Sequence, residues 1–200
     1  MATRQSAGDT RDRILTATNE LFRRQGFNGT SLAQVVDASG ATTGSLYHFF
    51  PGGKTELTAA VLRSSGAAYR ELIELILTAA SDPAEAMTDA FDGAAATVDE
   101  SGFIDPCPIG TITSEVASTN EELRQVASEV IASWVDVVER YLIEAGIVRD
   151  RAHPLATLAV ASIEGSFMMS RAHRNTEALA VSGRLIRQLV ASELANVSPS

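Results

Sequence analysis

The sequence predicts an all-α protein, on three observations. Apolar residues recur at three- and four-residue spacing along most of the chain, as one buried face of a helix requires. Capping residues, glycines and prolines cut that pattern into about nine segments. No segment alternates apolar and polar residues as a half-buried strand does, and the apolar run Val135–Val138 sits inside a longer helical pattern.

The elements follow in chain order. Asp9 or Thr10 caps a first helix, Thr10–Gln25, with Ile14, Leu15, Thr18, Leu21 and Phe22 on one stripe; Gly26 stops it. Asn28-Gly29 turns the chain. Thr30 caps a short helix to about Ala38, with Leu32, Val35 and Val36 inward, and Ser39-Gly40 breaks it. Thr42 caps a second short helix, Thr43–Phe49. After Pro51-Gly52-Gly53 a long helix runs from about Lys54 to Ala79, its inward stripe including Leu57, Val61, Leu62, Tyr69, Leu72, Ile73 and Ile76. Asp82-Pro83 opens the next, to about Glu100, because proline suits a first helical turn. Ser101–Pro108 is a loop, followed by a short helix over about Ile109–Ser118. Thr119 or Asn120 caps a long helix to about Ala145. Pro154 lies in the first turn of a helix to about His173, and Asn175 or Thr176 starts a last one to about Asn196. The tail from Val197 frays.

Composition narrows the function classes. With 45% hydrophobic and 20% charged residues, the chain is globular rather than disordered. No apolar run approaches the ~20 residues of a membrane span, and the polar N-terminus has no apolar signal region. The single cysteine, Cys107, excludes an intramolecular disulfide framework, which leaves the cytoplasm as the expected compartment. Cys107 itself reads either as a buried structural thiol or as a redox sensor. His48, His153 and His173 are far apart in sequence, and no nucleophile–base motif or phosphate-cradling glycine loop is present. The expectation is therefore no catalytic residue, no metal, no cofactor and no enzyme.

Charge is divided along the chain. Net charge is −9, yet residues 1–54 carry six basic and four acidic side chains, and the remainder ten and 21. A head of +2 can touch a polyanion while a body of −11 stays off it. Residues 30–50 suit that head. Two short helices around a Ser-Gly turn form a helix-turn-helix, whose second helix presents its first side chains to base edges in the major groove. Those side chains are Thr42, Thr43 and Ser45; Gly44 leaves room for close approach, and Leu46 and Phe50 anchor the helix inward. Tyr47 and His48 reach phosphates. Thr30 and Lys54 stand at helix N-termini, where amides and the helix dipole favour phosphate.

These residues resemble a family. Gly40-Ala41-Thr42-Thr43-Gly44-Ser45-Leu46-Tyr47-His48-Phe49-Phe50 followed by Pro-Gly-Gly-Lys54-Thr-Glu56-Leu57 resembles the recognition segment of TetR-family transcriptional repressors. Ile14-Leu15 through Leu21-Phe22, Gly26-Phe27 and Thr30-Ser31-Leu32 do the same, so the likeness covers about residues 10–62. Cys107-Pro108-Ile109-Gly110 before a short helix, together with the Phe-Pro-Gly-Gly-Lys turn, resembles the branch with LmrA- and YxaF-type regulators. The resemblance implies a homodimer in which a helix-turn-helix domain, here 1–53, joins a ligand-binding and dimerisation domain, here 54–200. It implies DNA contacts at Thr30, Thr42, Thr43, Ser45, Tyr47, His48 and Lys54. Two positions depart from the pattern: Phe49 replaces a frequent His, and Ala33 replaces a frequent Arg or other polar residue. Either Gln34 substitutes for the latter, or base readout rests on the second helix alone.

The resemblance also places a small-molecule effector site in the helical body. Such sites are mostly apolar with a few polar groups. Aromatic candidates are Tyr69, Phe91, Phe103, Trp134 and Phe167. Ile109, Thr113 and Val138 are further candidates, Met87, Met168 and Met169 suit a site that repacks around several ligands, and most of the candidates equally suit plain core. Glu164 lies in an apolar stretch, where a carboxylate fixes a cationic or hydroxylated ligand, pairs across a dimer interface, or faces solvent. The last two helices are expected to pair with their symmetry mates in a four-helix bundle, covering Leu158, Ala161, Ile163, Leu185, Ile186, Leu189 and Val190. The partners implied are palindromic double-stranded DNA, a small-molecule effector and a second copy of the chain, with no membrane.

Overall fold

The computed structural model describes residues 2–104 and 107–197, with side chains from Gly8 to Asn196; Asp105 and Pro106 of the expected loop and the end of the tail lie outside the described residues. Among the described residues there are nine helices and no strand. They are α1 (Ala2–Gln25), α2 (Leu32–Ser39), α3 (Thr43–Phe49), α4 (Gly53–Ala79), α5 (Pro83–Glu100), α6 (Pro108–Val116), α7 (Glu121–Glu144), α8 (Arg149–His173) and α9 (Glu177–Val197).

Most boundaries fall where capping chemistry puts them. The Asp82 carboxylate accepts from the Ala84 and Glu85 amides at 2.8 and 3.0 Å, and Pro83 takes the first turn. The Asn120 and Asn175 side chains accept from the Leu123 and Glu177 amides at 3.1 Å each. Three expectations change. First, α1 begins at Ala2, so neither Asp9 nor Thr10 caps it; the only glycine in that segment, Gly8, is tolerated, and Asp9 instead pairs with Arg13 one turn on. Second, α2 is capped by Ser31 rather than Thr30. Third, α8 begins at Arg149, which puts Pro154 inside the helix rather than in its first turn. Glu139 of α7 explains the added turn: its carboxylate takes Arg149 Nη1 at 3.0 Å and His153 Nδ1 at 2.8 Å. Along α4, Leu72 is 48% exposed while Leu77 is buried, so the inward stripe shifts past Tyr69.

The chain divides into two compact units. One comprises Met1–Ala67 with Cys107–Val130, the other Ala68–Pro106 with Ile131–Ser200. The expected boundary at residues 53/54 falls at the start of α4, and the first unit also takes in α6. In that unit α1, α2 and α3 pack together over Ile14, Phe22, Val35, Leu46 and Phe50, with Leu57, Val61 and Leu62 of α4 also buried. In the other unit α9 packs against α5 and α8. The α5–α9 approach is close enough that a Cβ on Gly183 would lie 2.7 Å from the Phe91 Cβ.

Candidate nucleic-acid interface

The second helix of the helix-turn-helix is built from its cap outward. Thr42 has extended backbone, and its hydroxyl accepts from the Ser45 amide at 3.0 Å and pairs with the Ser45 hydroxyl at 2.9 Å. Capping thus fixes two of the expected reading side chains in place. Thr43 and Gly44 are exposed, and a Cβ at Gly44 would meet only the Thr42 hydroxyl, at 3.8 Å, so backbone approach to this face is open. Tyr47 is 50% exposed and His48 exposed, while the intervening packing falls to Leu46 and Phe50, both buried. The His48 and Phe49 rings meet edge to face at 5.0 Å, so Phe49 makes a ring contact on its own helix.

The preceding turn is equally specified. Gly40 closes α2 in the left-handed region, φ 62°, where glycine carries no Cβ penalty. Arg13 of α1 donates to the Ser39 carbonyl at 2.8 Å and so satisfies the end of α2. Ser31 and Gln34 form a reciprocal capping box: the Ser31 hydroxyl accepts from the Gln34 amide at 3.2 Å, and the Gln34 carbonyl accepts from the Ser31 amide at 2.8 Å. Gln34 is exposed, with its carbonyl oxygen committed to that box; Ala33 beside it is exposed as well.

Two expected contacts sit differently. Thr30 is buried, and its hydroxyl donates to the Gly26 carbonyl at 2.8 Å; it holds the turn rather than facing solvent. Lys54 donates to the Phe27 carbonyl at 2.6 Å and lies 4.0 Å above the Phe27 ring. Burial lowers its pKa, partly offset by the charge of Glu115. Glu115 belongs to α6, and its carboxylate accepts from the Asn28 amide at 2.7 Å. Sequence reasoning missed both Arg13 and Glu115. Their partners lie 26 and 87 residues away, beyond any local pattern.

The expected effector residues are dispersed. Ile109 and Thr113 belong to the first unit; Tyr69, Met87, Phe91, Phe103, Trp134, Val138, Glu164, Phe167 and Met168 belong to the second. Met87, Phe91, Ile109, Trp134 and Val138 are buried, and Phe91 is the surface on which α9 rests. Tyr69 and Trp134 meet edge to face at 5.9 Å. Thr113 spends its hydroxyl on the Ile109 carbonyl at 2.6 Å. Phe103, Glu164 and Phe167 are half-buried. Met168 is 71% exposed, which removes it from any interior lining of this protomer. Sequence reasoning also passed over Thr88 and Ser170, whose buried hydroxyls make no hydrogen bond among the described residues. Cys107 is buried at the start of α6.

Comparison with known proteins agrees with this architecture. Residues 14–61 match the model for bacterial regulatory proteins of the tetR family, and residues 83–184 match that for the C-terminal domain of LmrA/YxaF-like transcriptional regulators. The HTH-type transcriptional regulator YxaF of Bacillus subtilis is 38% identical over 92% of this chain and 97% of its own length. LmrA of the same organism is 33% identical over 87% and 93%. Among solved structures, a TetR-family regulator from Cytophaga hutchinsonii superposes with a TM-score of 0.80 at 24% identity, covering 94% of this chain and 96% of that one. Reduced NemR of Escherichia coli gives 0.78 at 18%, covering 90% and 96%. Among the described residues no helix is long and apolar enough to cross a membrane. The chain belongs to the TetR family of DNA-binding transcriptional regulators, a family of regulators and not of enzymes, on its LmrA/YxaF-like branch.

Proposed function

We propose that the chain is a homodimeric repressor that reads a palindromic operator through the major groove and is released by a small, largely apolar effector bound in its C-terminal domain. The observation that carries this is α3: a capped helix on a buried Leu46–Phe50 base, with Thr43, Gly44, Tyr47 and His48 outermost. Thr42, Thr43 and Ser45 serve the base edges, Tyr47 and His48 the phosphates, and Lys54 a phosphate when it leaves Phe27. Dimerisation is supported by α8 and α9. Leu158, Val181, Leu185 and Leu189 are between 37% and 52% exposed in one protomer, whereas Ile186 and Val190 fill its own core. Such faces are stable in water once a second copy covers them.

Thr88 and Ser170 support the effector. A buried hydroxyl without a partner costs about 1–3 kcal/mol, and both belong to the unit that holds Met87 and Phe91. A mostly apolar ligand with a polar atom answers the need of such a hydroxyl. A second reading is control by a protein partner, favoured by Leu72 and Leu75 of α4, which are 48% and 65% exposed. The first experiment is selection of bound duplexes from a randomised pool. A palindrome with half-sites about 34–36 Å apart, or a multiple, is the expected result. The selected duplex then serves in a small-molecule screen. If ligand-saturated protein holds it as tightly as free protein, release by that ligand fails.

A further inference from the structure

We propose that Glu115 on α6 is a positioning residue for DNA binding: by fixing the Gly26–Gly29 turn, on whose Phe27 the Lys54 ammonium rests, it keeps that lysine on the protein, so that DNA must compete for it. The proposal rests on the DNA-binding reading of the helix-turn-helix. What it adds is that the phosphate contact of Lys54 is opposed by a carboxylate outside that motif.

Independent features of the turn converge on the carboxylate. Glu115 Oε2 accepts from the Asn28 amide at 2.7 Å. Gly26 has φ 72°, and a Cβ added there would collide with Glu115 Oε1. Glycine at this position leaves the carboxylate its place against the turn, and the left-handed backbone there favours glycine independently. Lys54 grips the residue between, donating to the Phe27 carbonyl at 2.6 Å from above its ring. Ammonium and carboxylate thus hold adjacent residues of one turn from two different helices, α4 and α6. The field of Glu115 favours the charged ammonium there, against burial, which disfavours it. Lys54 is the only lysine in the chain and stands at the first turn of α4, where the helix dipole favours a phosphate. To bind one at full strength, it has to leave the Phe27 ring and the Glu115 field.

The test uses the full-length protein, the selected duplex and the isosteric variant Glu115→Gln, which keeps an acceptor for the Asn28 amide while removing the charge. Because there is one lysine, [13C]lysine labelling gives a single side-chain set whose titration reports Lys54 directly. The expected result is a lower Lys54 pKa in Glu115→Gln than in the wild type. Each phosphate neutralised adds about 0.9 to the slope of log affinity against log salt. Glu115→Gln is therefore expected to steepen the slope by up to ~0.9 per protomer, ~1.8 for the dimer, approaching a ~12-fold further loss of operator affinity over a fourfold rise in salt. In a Lys54→Met background the same substitution is expected to leave the slope unchanged. An unmoved lysine titration overturns the proposal. So does an equal change in slope with Lys54 absent, which would mean that Glu115 merely repels DNA. Wild-type protein that enriches no duplex overturns the DNA-binding reading itself, and the lysine titration still tells whether Glu115 holds Lys54.

Discussion

Helices α3 and α9 divide neighbouring residues between inside and outside in the same way, and leave opposite chemistry outside. On α3, Leu46 is fully buried while Tyr47 beside it is 50% exposed. On α9, Ile186 is 3% exposed and Leu185 beside it 52%. The outer face of α3 carries hydroxyls, a phenol and an imidazole. That of α9 carries Val181, Leu185 and Leu189, spaced four apart. A polar face rests in water and exchanges that water for base edges and phosphates. An apolar face is costly in water until another apolar surface covers it. The same periodicity anchors both helices, so periodicity alone tells where they pack and not what they meet. The chemistry of the exposed residues tells the second thing.

The strongest way to break this comparison is to give α9 the kind of outer face that α3 has. Leu185→Glu with Leu189→Glu changes side chains that already lie 52% and 44% exposed, so the protomer is expected to keep its helix content. The expected outcome is a monomer by light scattering. Operator affinity is expected to fall by about a hundredfold or more, because two linked half-site contacts become one. A variant that remains dimeric places the interface elsewhere and ends the parallel between the two helices.

What was legible in the sequence follows the same division. The Thr43–Phe49 helix was readable to the residue, because its cap, its breakers and its anchors all lie within about ten positions. So was the start of α5 at Asp82-Pro83. Failures came where distant partners overrule local signals. Pro154 reads as a helix start, yet Glu139 binds Arg149 and His153 and extends α8 upstream. Thr30 reads as a cap, yet Ser31 is the better one because Gln34 stands three residues on and closes the box. In the body, Phe91 reads equally as ligand surface and as core; its tight approach to Gly183 is a fact of helix packing that no one-dimensional pattern contains. Within the candidate interface the exposed residues of α3 were legible, and the supports Arg13 and Glu115 were not, since each acts across a long sequence gap.

Thr42 sharpens the comparison, because one hydroxyl serves both the fold and the outer face of α3. Thr42→Ala removes the acceptor for the Ser45 amide, and an N-cap loss of this kind costs about 1 kcal/mol. A lowered urea midpoint is expected, along with weaker operator binding. Thr42→Ser keeps the acceptor and is expected to restore stability. If affinity returns with it, the hydroxyl carries the contact. If stability returns alone, the methyl group does, as in apolar contact with a thymine methyl.

Tyr47 is where the smallest effect on stability is expected to accompany a functional loss. Its hydroxyl makes no part of the α3 cap, and its ring stands beside the start of α4, where a Cβ on Gly53 would lie 3.9 Å from the Tyr47 Cε1. Tyr47→Phe keeps that ring and removes only the hydroxyl, so stability is expected to stay within about 0.5 kcal/mol. Operator affinity is expected to fall severalfold, and by the same factor across operator variants, because a phosphate contact carries no sequence information. The salt slope is expected to hold, since a neutral phenol releases no counterion. A loss confined to one base position would move Tyr47 from the phosphates to the bases. Unchanged affinity would make its ring a packing element against α4, and the phosphate contacts of α3 would then fall to His48 alone.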